Sequence, residues 1–159
     1  MPTVTRSFIP DQPLSKLITK ENVLSFLRTH KLIPEQHWIS VSERVPGFYT
    51  KIFSILVLIQ EGSAVLDFIE NDISDGKLPL TAGHFEKFDS CNYQKRFLEK
   101  QWEFLAPIWE KGRYLHKILD HNAVLPILEE RQVGAGGFGT TFEVLFSGVH
   151  QGFSDTTEL

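Results

Sequence analysis

Three features of the sequence predict a mainly α protein, a helical bundle followed by a β-hairpin. Residues 20–30 and 92–105 carry apolar side chains at helical spacing. Residues 52–59 are apolar on every side, as expected at the centre of a core. Residues 128–146 read as strand, glycine-rich loop, strand. The expected division is an extended arm over 1–14, a helical domain over 15–115, a linker over 116–127 and the hairpin segment over 128–159.

The arm is assigned from its prolines and its few apolar anchors. Thr19 is an N-cap candidate for a helix over 20–30, with Val23, Leu24 and Leu27 on one face. Ile18 and Val23 are placed to close a hydrophobic staple across that start, and Pro34 ends the unit. Residues 37–45 are read as a short strand or an irregular link, followed by a turn at Pro46-Gly47. Periodicity alone does not decide between helix and strand for residues 50–60. Helix is chosen because the run continues to Gly62, a C-cap candidate. Ser63 is then expected to cap a helix over 64–71, with Val65, Leu66 and Ile69 inward. Asp75-Gly76 turns the chain.

Ser90 is expected to cap the strongest helix, over 92–105. Phe97, Leu98, Trp102 and Leu105 form its apolar stripe, and Lys95, Arg96, Glu99, Lys100 and Glu103 its wet face. Pro107 ends or kinks it. Residues 116–128 are apolar and irregular.

The 159 residues are 42% apolar and include 13 Phe and 3 Trp, so a packed interior is expected. The net charge of -4, with acids and bases interleaved, leaves no basic stripe to neutralise phosphates and argues against nucleic acid as a partner. No apolar stretch is long enough to span a bilayer, and the start of the chain does not read as a signal peptide. The expectation is an intracellular protein, cytoplasmic or nuclear, without a membrane partner. The one cysteine, Cys91, permits no internal disulfide and is read as a buried or helix-start thiol rather than a nucleophile. His116 and His121 are read as solvated or structural, since no Cys or carboxylate pattern completes a metal site. Glu129-Glu130 and Glu70-Asn71-Asp72 are read as exposed acids.

The chemistry-bearing motif is Val133-Gly134-Ala135-Gly136-Gly137-Phe138-Gly139, followed by Thr140 and Thr141. Glycines let backbone N–H groups approach phosphate oxygens without a side chain in the way. A Rossmann loop leads into a helix, but the residues after Gly139 are β-branched and aromatic. A Walker loop needs Gly-Lys-Ser/Thr, and no such lysine is present. Gly136 to Gly139 also matches the GxxG of a KH domain, but the flanking helices and basic residues are missing.

The motif resembles the glycine-rich loop of protein kinases, including the aromatic at its tip. Phe53 to Ile59, Asp67 to Glu70, Gln101 to Pro107 and Leu125 to Glu129 are similar to the helical extension that precedes the catalytic domain in a group of fungal serine/threonine kinases. The resemblance covers nearly the whole chain but only the first two strands of the catalytic domain, a partial N-lobe. It implies ATP as cofactor, with Val133 packed on the adenine and the backbones of Ala135, Gly137 and Phe138 over the phosphates. Gly134, Gly136 and Gly139 complete that cradle. Thr141 stands where the kinase pattern places a valine.

Kinase chemistry also needs a third-strand Lys, His-Arg-Asp and Asp-Phe-Gly, with Mg2+ held in the complete enzyme. None of these occurs here, and residues 134–159 contain no Lys or Arg. The chain is therefore expected to stop short of that lysine, to be catalytically inert and to bind ATP weakly or not at all. A hairpin alone is marginal in water, so it is expected to dock on the helical domain or stay loose. The competing reading is a stand-alone helical module that binds a protein partner and keeps a remnant kinase hairpin.

Overall fold

The computed structural model describes residues 7–88, 91–110, 118–148 and 151–152. Among them are helices α1 (Asp11–Leu17), α2 (Lys20–His30), α3 (Trp38–Phe48), α4 (Thr50–Leu58), α5 (Val65–Glu70) and α6 (Gln94–Lys100). Short 3-10 turns join or extend them at Glu35–His37, Gly62–Ala64, Asp75–Lys77, Ala82–Lys87 and Gln101–Phe104. The strands are β1 (Trp109–Glu110), β2 (Ile127–Gly136), β3 (Gly139–Phe146) and β4 (Gln151–Gly152). β2 and β3 form the antiparallel hairpin, and β1 pairs in parallel with β4. The mainly helical body followed by a two-stranded hairpin agrees with the sequence expectation. The β1–β4 pairing had no sequence signal.

α2 begins as its sequence requires. Thr19 Oγ1 accepts from the Asn22 N–H at 3.3 Å, satisfying one of the donors that a helix start leaves unpaired. Val23 is buried and Ile18 half-buried against the same core, as a staple demands. The helix closes with Lys31 in the left-handed region (φ 48°), its N–H on the Leu27 carbonyl.

Several expectations are corrected. The extended arm does not reach residue 14. A helix starts at Asp11, and its Leu14 is buried. Pro10 is its N-cap and Pro13 lies in its first turn, where a missing N–H breaks no helical bond. The strand or link over 37–45 is the helix α3, with Val41, Ser42 and Val45 buried at helical spacing. Its β-branched residues favour strand locally, and burial of one face overrides that preference. The turn at Pro46-Gly47 is present as a break near the end of α3, with Gly47 at φ 91°. Thr50 Oγ1 bridges the break, accepting from the Gly47 N–H at 3.1 Å and donating to the Val45 carbonyl at 3.2 Å.

Gly62 is not a C-cap. Gln60 takes the left-handed conformation (φ 63°) after α4. Gly62 instead permits a close approach, since an added Cβ would stand 2.8 Å from Leu32 Cδ1. Ser63 does not cap α5, whose N-cap is Ala64. The helix expected over 92–105 is α6 followed by the 3-10 turn Gln101–Phe104, and the Ser90 cap lies outside the described residues. Phe97 is buried as expected, but Gln101 and Phe104 are the fully enclosed side chains of the next turn.

α4 sits at the centre. Ile52, Phe53, Ser54, Ile55 and Leu56 are all buried. Beside it, Phe68 of α5 stacks on Phe97 of α6 at 5.3 Å, and Phe85 meets both edge-on at 6.0 and 5.5 Å. Rings at these separations contribute about 0.5–1.5 kcal/mol per pair beyond their buried area.

Two polar ties hold distant segments to this core. Asp75 accepts from the backbone N–H groups of Lys51 (2.8 Å) and Ile52 (2.9 Å), capping α4 from 24 residues downstream. Gln101 is buried and satisfies both backbone groups of Leu80. Its Oε1 accepts from the Leu80 N–H at 2.7 Å, and its Nε2 donates to the Leu80 carbonyl at 3.0 Å. Nε2 also donates to the Leu98 carbonyl at 3.2 Å.

Replacing Gln101 by Leu keeps the volume but orphans two buried backbone groups, so Gln101→Leu should lose about 2–4 kcal/mol in urea unfolding. A loss under about 0.5 kcal/mol would show that water replaces the carboxamide. Asp75 gives a second prediction. Desolvation outweighs its two N–H donors and holds the carboxyl above its ordinary value of 3.8. The folded protein thus binds this proton more tightly than the unfolded chain. The resulting stabilisation is complete below about pH 4 and is lost as pH rises through the raised folded value. The stability of the parent protein relative to Asp75→Asn should therefore fall as pH rises from about 4 through the raised folded value; a pH-independent difference would contradict the burial argument.

Candidate functional site

The hairpin collects every residue of the glycine-rich motif. Gly134 is opposite Thr141, Ala135 opposite Thr140, and Gly136 opposite Gly139, with Gly137 and Phe138 at the tip. The register shifts between Gln132 and Gly134, so Val133 is the extra residue of a β-bulge. The bulge leaves Val133 between the Gln132–Phe142 and Gly134–Thr141 pairs, at the base of the loop. Phe138 is fully exposed, and Val133 is 53% exposed. The segment after Gly139 is the strand β3, so no helix N-terminus stands behind the loop, as a Rossmann site would require.

The glycines are not explained by the hairpin itself. An added Cβ at Gly136, Gly137 or Gly139 would meet nothing within 4 Å. At Gly134 it would make an ordinary contact with Thr141 Cβ at 3.9 Å. None of the four takes a left-handed φ. A strand glycine costs about 0.5–1 kcal/mol relative to alanine, so Gly134, Gly136 and Gly139 together cost about 1.5–3 kcal/mol. Neither backbone conformation nor internal packing offsets this cost. The open space lies on the outside, where a ligand's atoms can approach the main chain.

The electrostatics do not favour a polyphosphate. Arg131 is the nearest cation in the chain before the loop, and its guanidinium is held by Glu143 across the sheet at 2.6 Å. Glu129 and Glu130 are exposed on the same strand. Among the described residues, no three His, Cys, Asp or Glu side chains cluster as metal ligands.

The other candidates read from the sequence fall away from this site. Cys91 is half-buried, and burial pushes its thiol up, away from the thiolate that a nucleophile needs. His121 is exposed, with Asp120 at 3.4 Å and Asn122 at 3.0 Å. His116 lies outside the described residues. Glu70, Asp72, Glu129 and Glu130 are exposed, in agreement with their reading as solvated acids.

Among the described residues, the hairpin is joined to the body by little. Every residue of β2 after Ile127, and every residue of β3 before Phe146, is exposed. At its base the Ser147 N–H donates to the Pro126 carbonyl at 2.8 Å. Phe142 and Leu145 are about half exposed. Among the described residues, neither face of the sheet is covered by the helical body. No helix of the described residues is long and apolar enough to cross a membrane. No protein-family model matches the chain, and no similar curated protein or solved structure was found.

Because the hairpin buries so little, its amides should open far more readily than those of α2 and α4. In native-state hydrogen exchange, residues 141–145 should exchange at least about 100-fold faster, relative to their intrinsic rates, than the amides of Ile55 and Leu56. Equal protection would mean that the hairpin unfolds only with the core.

Proposed function

We propose that this chain is the N-terminal portion of an ATP-dependent serine/threonine protein kinase, a helical extension followed by the glycine-rich loop of the N-lobe. The carrying observation is the set of glycines at 134, 136, 137 and 139, which the hairpin does not need for its own backbone or packing. In this reading Val133 and Thr141 face the adenine, and the backbones of Ala135, Gly137 and Phe138 cover the phosphates. Phosphoryl transfer depends on positioning and charge neutralisation. Residues 134–159 supply no cation, and the sequence holds no His-Arg-Asp or Asp-Phe-Gly. These 159 residues by themselves are therefore inert in our reading, and Mg2+ belongs only to a complete kinase.

A second reading, a helical interaction module with a remnant hairpin, is favoured by a different observation. The core of the helical body closes without the strands, while Leu17, Ile39, Phe48 and Leu58 of that body stay exposed. Reading the transcript past the codon for Leu159 separates the two. A strand with Ala-x-Lys, then His-Arg-Asp and Asp-Phe-Gly, supports the kinase; their absence supports the module.

Inertness is checked on the protein directly. A thermal-shift titration with Mg-ATP should leave the melting temperature unchanged up to about 1 mM. A site with a Kd near 10 μM would add about 2.7 kcal/mol at that concentration, and such a shift would overturn the claim.

A further inference from the structure

The helical body holds an apolar cleft made of none of the hairpin's residues. A cleft of about 390 Å3 opens between α1, α2 and α4, with Phe104 also in its wall. Its interior is built from Leu14, Val23, Phe53 and Val57. Leu17 and Leu58 stand at its mouth, more than half exposed. The volume lies at the lower end of the roughly 300–1,000 Å3 of small-molecule pockets. Water gains little there, because it needs two to four polar partners and this wall offers almost none.

Only two polar residues line the cleft, and no charged one does among the described residues. Ser54 is buried and its hydroxyl already donates to the Thr50 carbonyl at 2.7 Å. Asn22 is exposed at the edge. Its Nδ2 donates to the Leu17 carbonyl at 2.8 Å, which leaves Oδ1 as an acceptor facing no partner among the described residues. The lining residues offer an anionic head no countercharge, so nothing in the cleft favours a charged head over a neutral one. A neutral hydroxyl can donate to Asn22 Oδ1 while its hydrocarbon tail fills the interior.

We propose that this cleft binds a single aliphatic chain with an uncharged, hydroxyl-type head. The wall formed by α1 is tied down twice at its N-terminal end. The Ile9 N–H donates to the Glu103 carbonyl at 2.7 Å, and Asp11 pairs with Lys51 of α4 at 3.0 Å. The proposal stands on the cleft alone and is independent of the kinase reading.

The test uses the full chain and a neutral fluorescent reporter, N-phenyl-1-naphthylamine, displaced by 1-decanol or by decanoate. Saturable displacement by decanol at about tenfold lower concentration than decanoate is expected. Leu17→Lys and Leu58→Lys, both at exposed positions, should each weaken decanol about tenfold without moving the urea midpoint. Leu145→Ser on the hairpin should leave binding unchanged, which separates the cleft from the exposed strands. Absence of saturable displacement, equal or stronger displacement by decanoate, or sensitivity to Leu145→Ser but not to the two lysine variants would each overturn the proposal.

Discussion

The fold depends on the burial of α4. A helix enclosed on almost every side cannot give its first N–H groups to water, so a protein acceptor must reach them. Neither Tyr49 nor Thr50 does this, and α4 has no side-chain cap of its own at the N-cap position. The acceptor is the carboxylate of Asp75, delivered by the turn after α5. The pairing of Lys51 with Asp11 draws α1 onto the same end of the helix. Once α4 is fixed, the remaining helices have a common surface on which to bury Val23, Leu27, Val41, Val45, Phe68 and Phe97.

Gln101 extends the same logic to the far side. It is a polar residue in a fully buried position, and it is tolerable because Leu80 and Leu98 satisfy its amide. A loop without regular structure, residues 78–81, is thereby held to the core by two hydrogen bonds of sheet-like pattern. Side-chain amides used in this way replace the strand that the segment lacks.

Local chemistry was legible where one residue decides the outcome. Thr19 announced α2, and β-branched residues around four glycines announced a hairpin; the uniform apolar run announced burial but left helix or strand open, and the C-cap that decided for helix, Gly62, does not close α4. Tertiary effects were not legible. Prolines at 10 and 13 suggest an arm until one sees that both occupy positions where a helix start tolerates them. The Val-rich segment before Pro46 prefers strand until its buried face is known. Spacing held a signal for Gln101, since positions 97, 101 and 104 share one helical face, but polarity argued against an inward glutamine. The register of the hairpin, with Val133 as a bulge, is a property of two strands together and is invisible in either alone. For the glycine loop, the residue types and their strand flanks could be read directly. The exposure of both sheet faces could not, because it depends on what the helical body leaves uncovered.

The cap on α4 also has a consequence in time. Its carboxylate is synthesised 24 residues after the amides that it satisfies. At about 5–20 residues per second, a ribosome takes about 1–5 seconds to supply it. For that interval the run from Ile52 to Leu56 is a nascent hydrophobic segment without its terminus secured and, for most of it, without Phe68 of α5 made. The order of synthesis thus sets a window in which the most buried part of the finished protein is its most adhesive part, available to a chaperone before it is available to the fold.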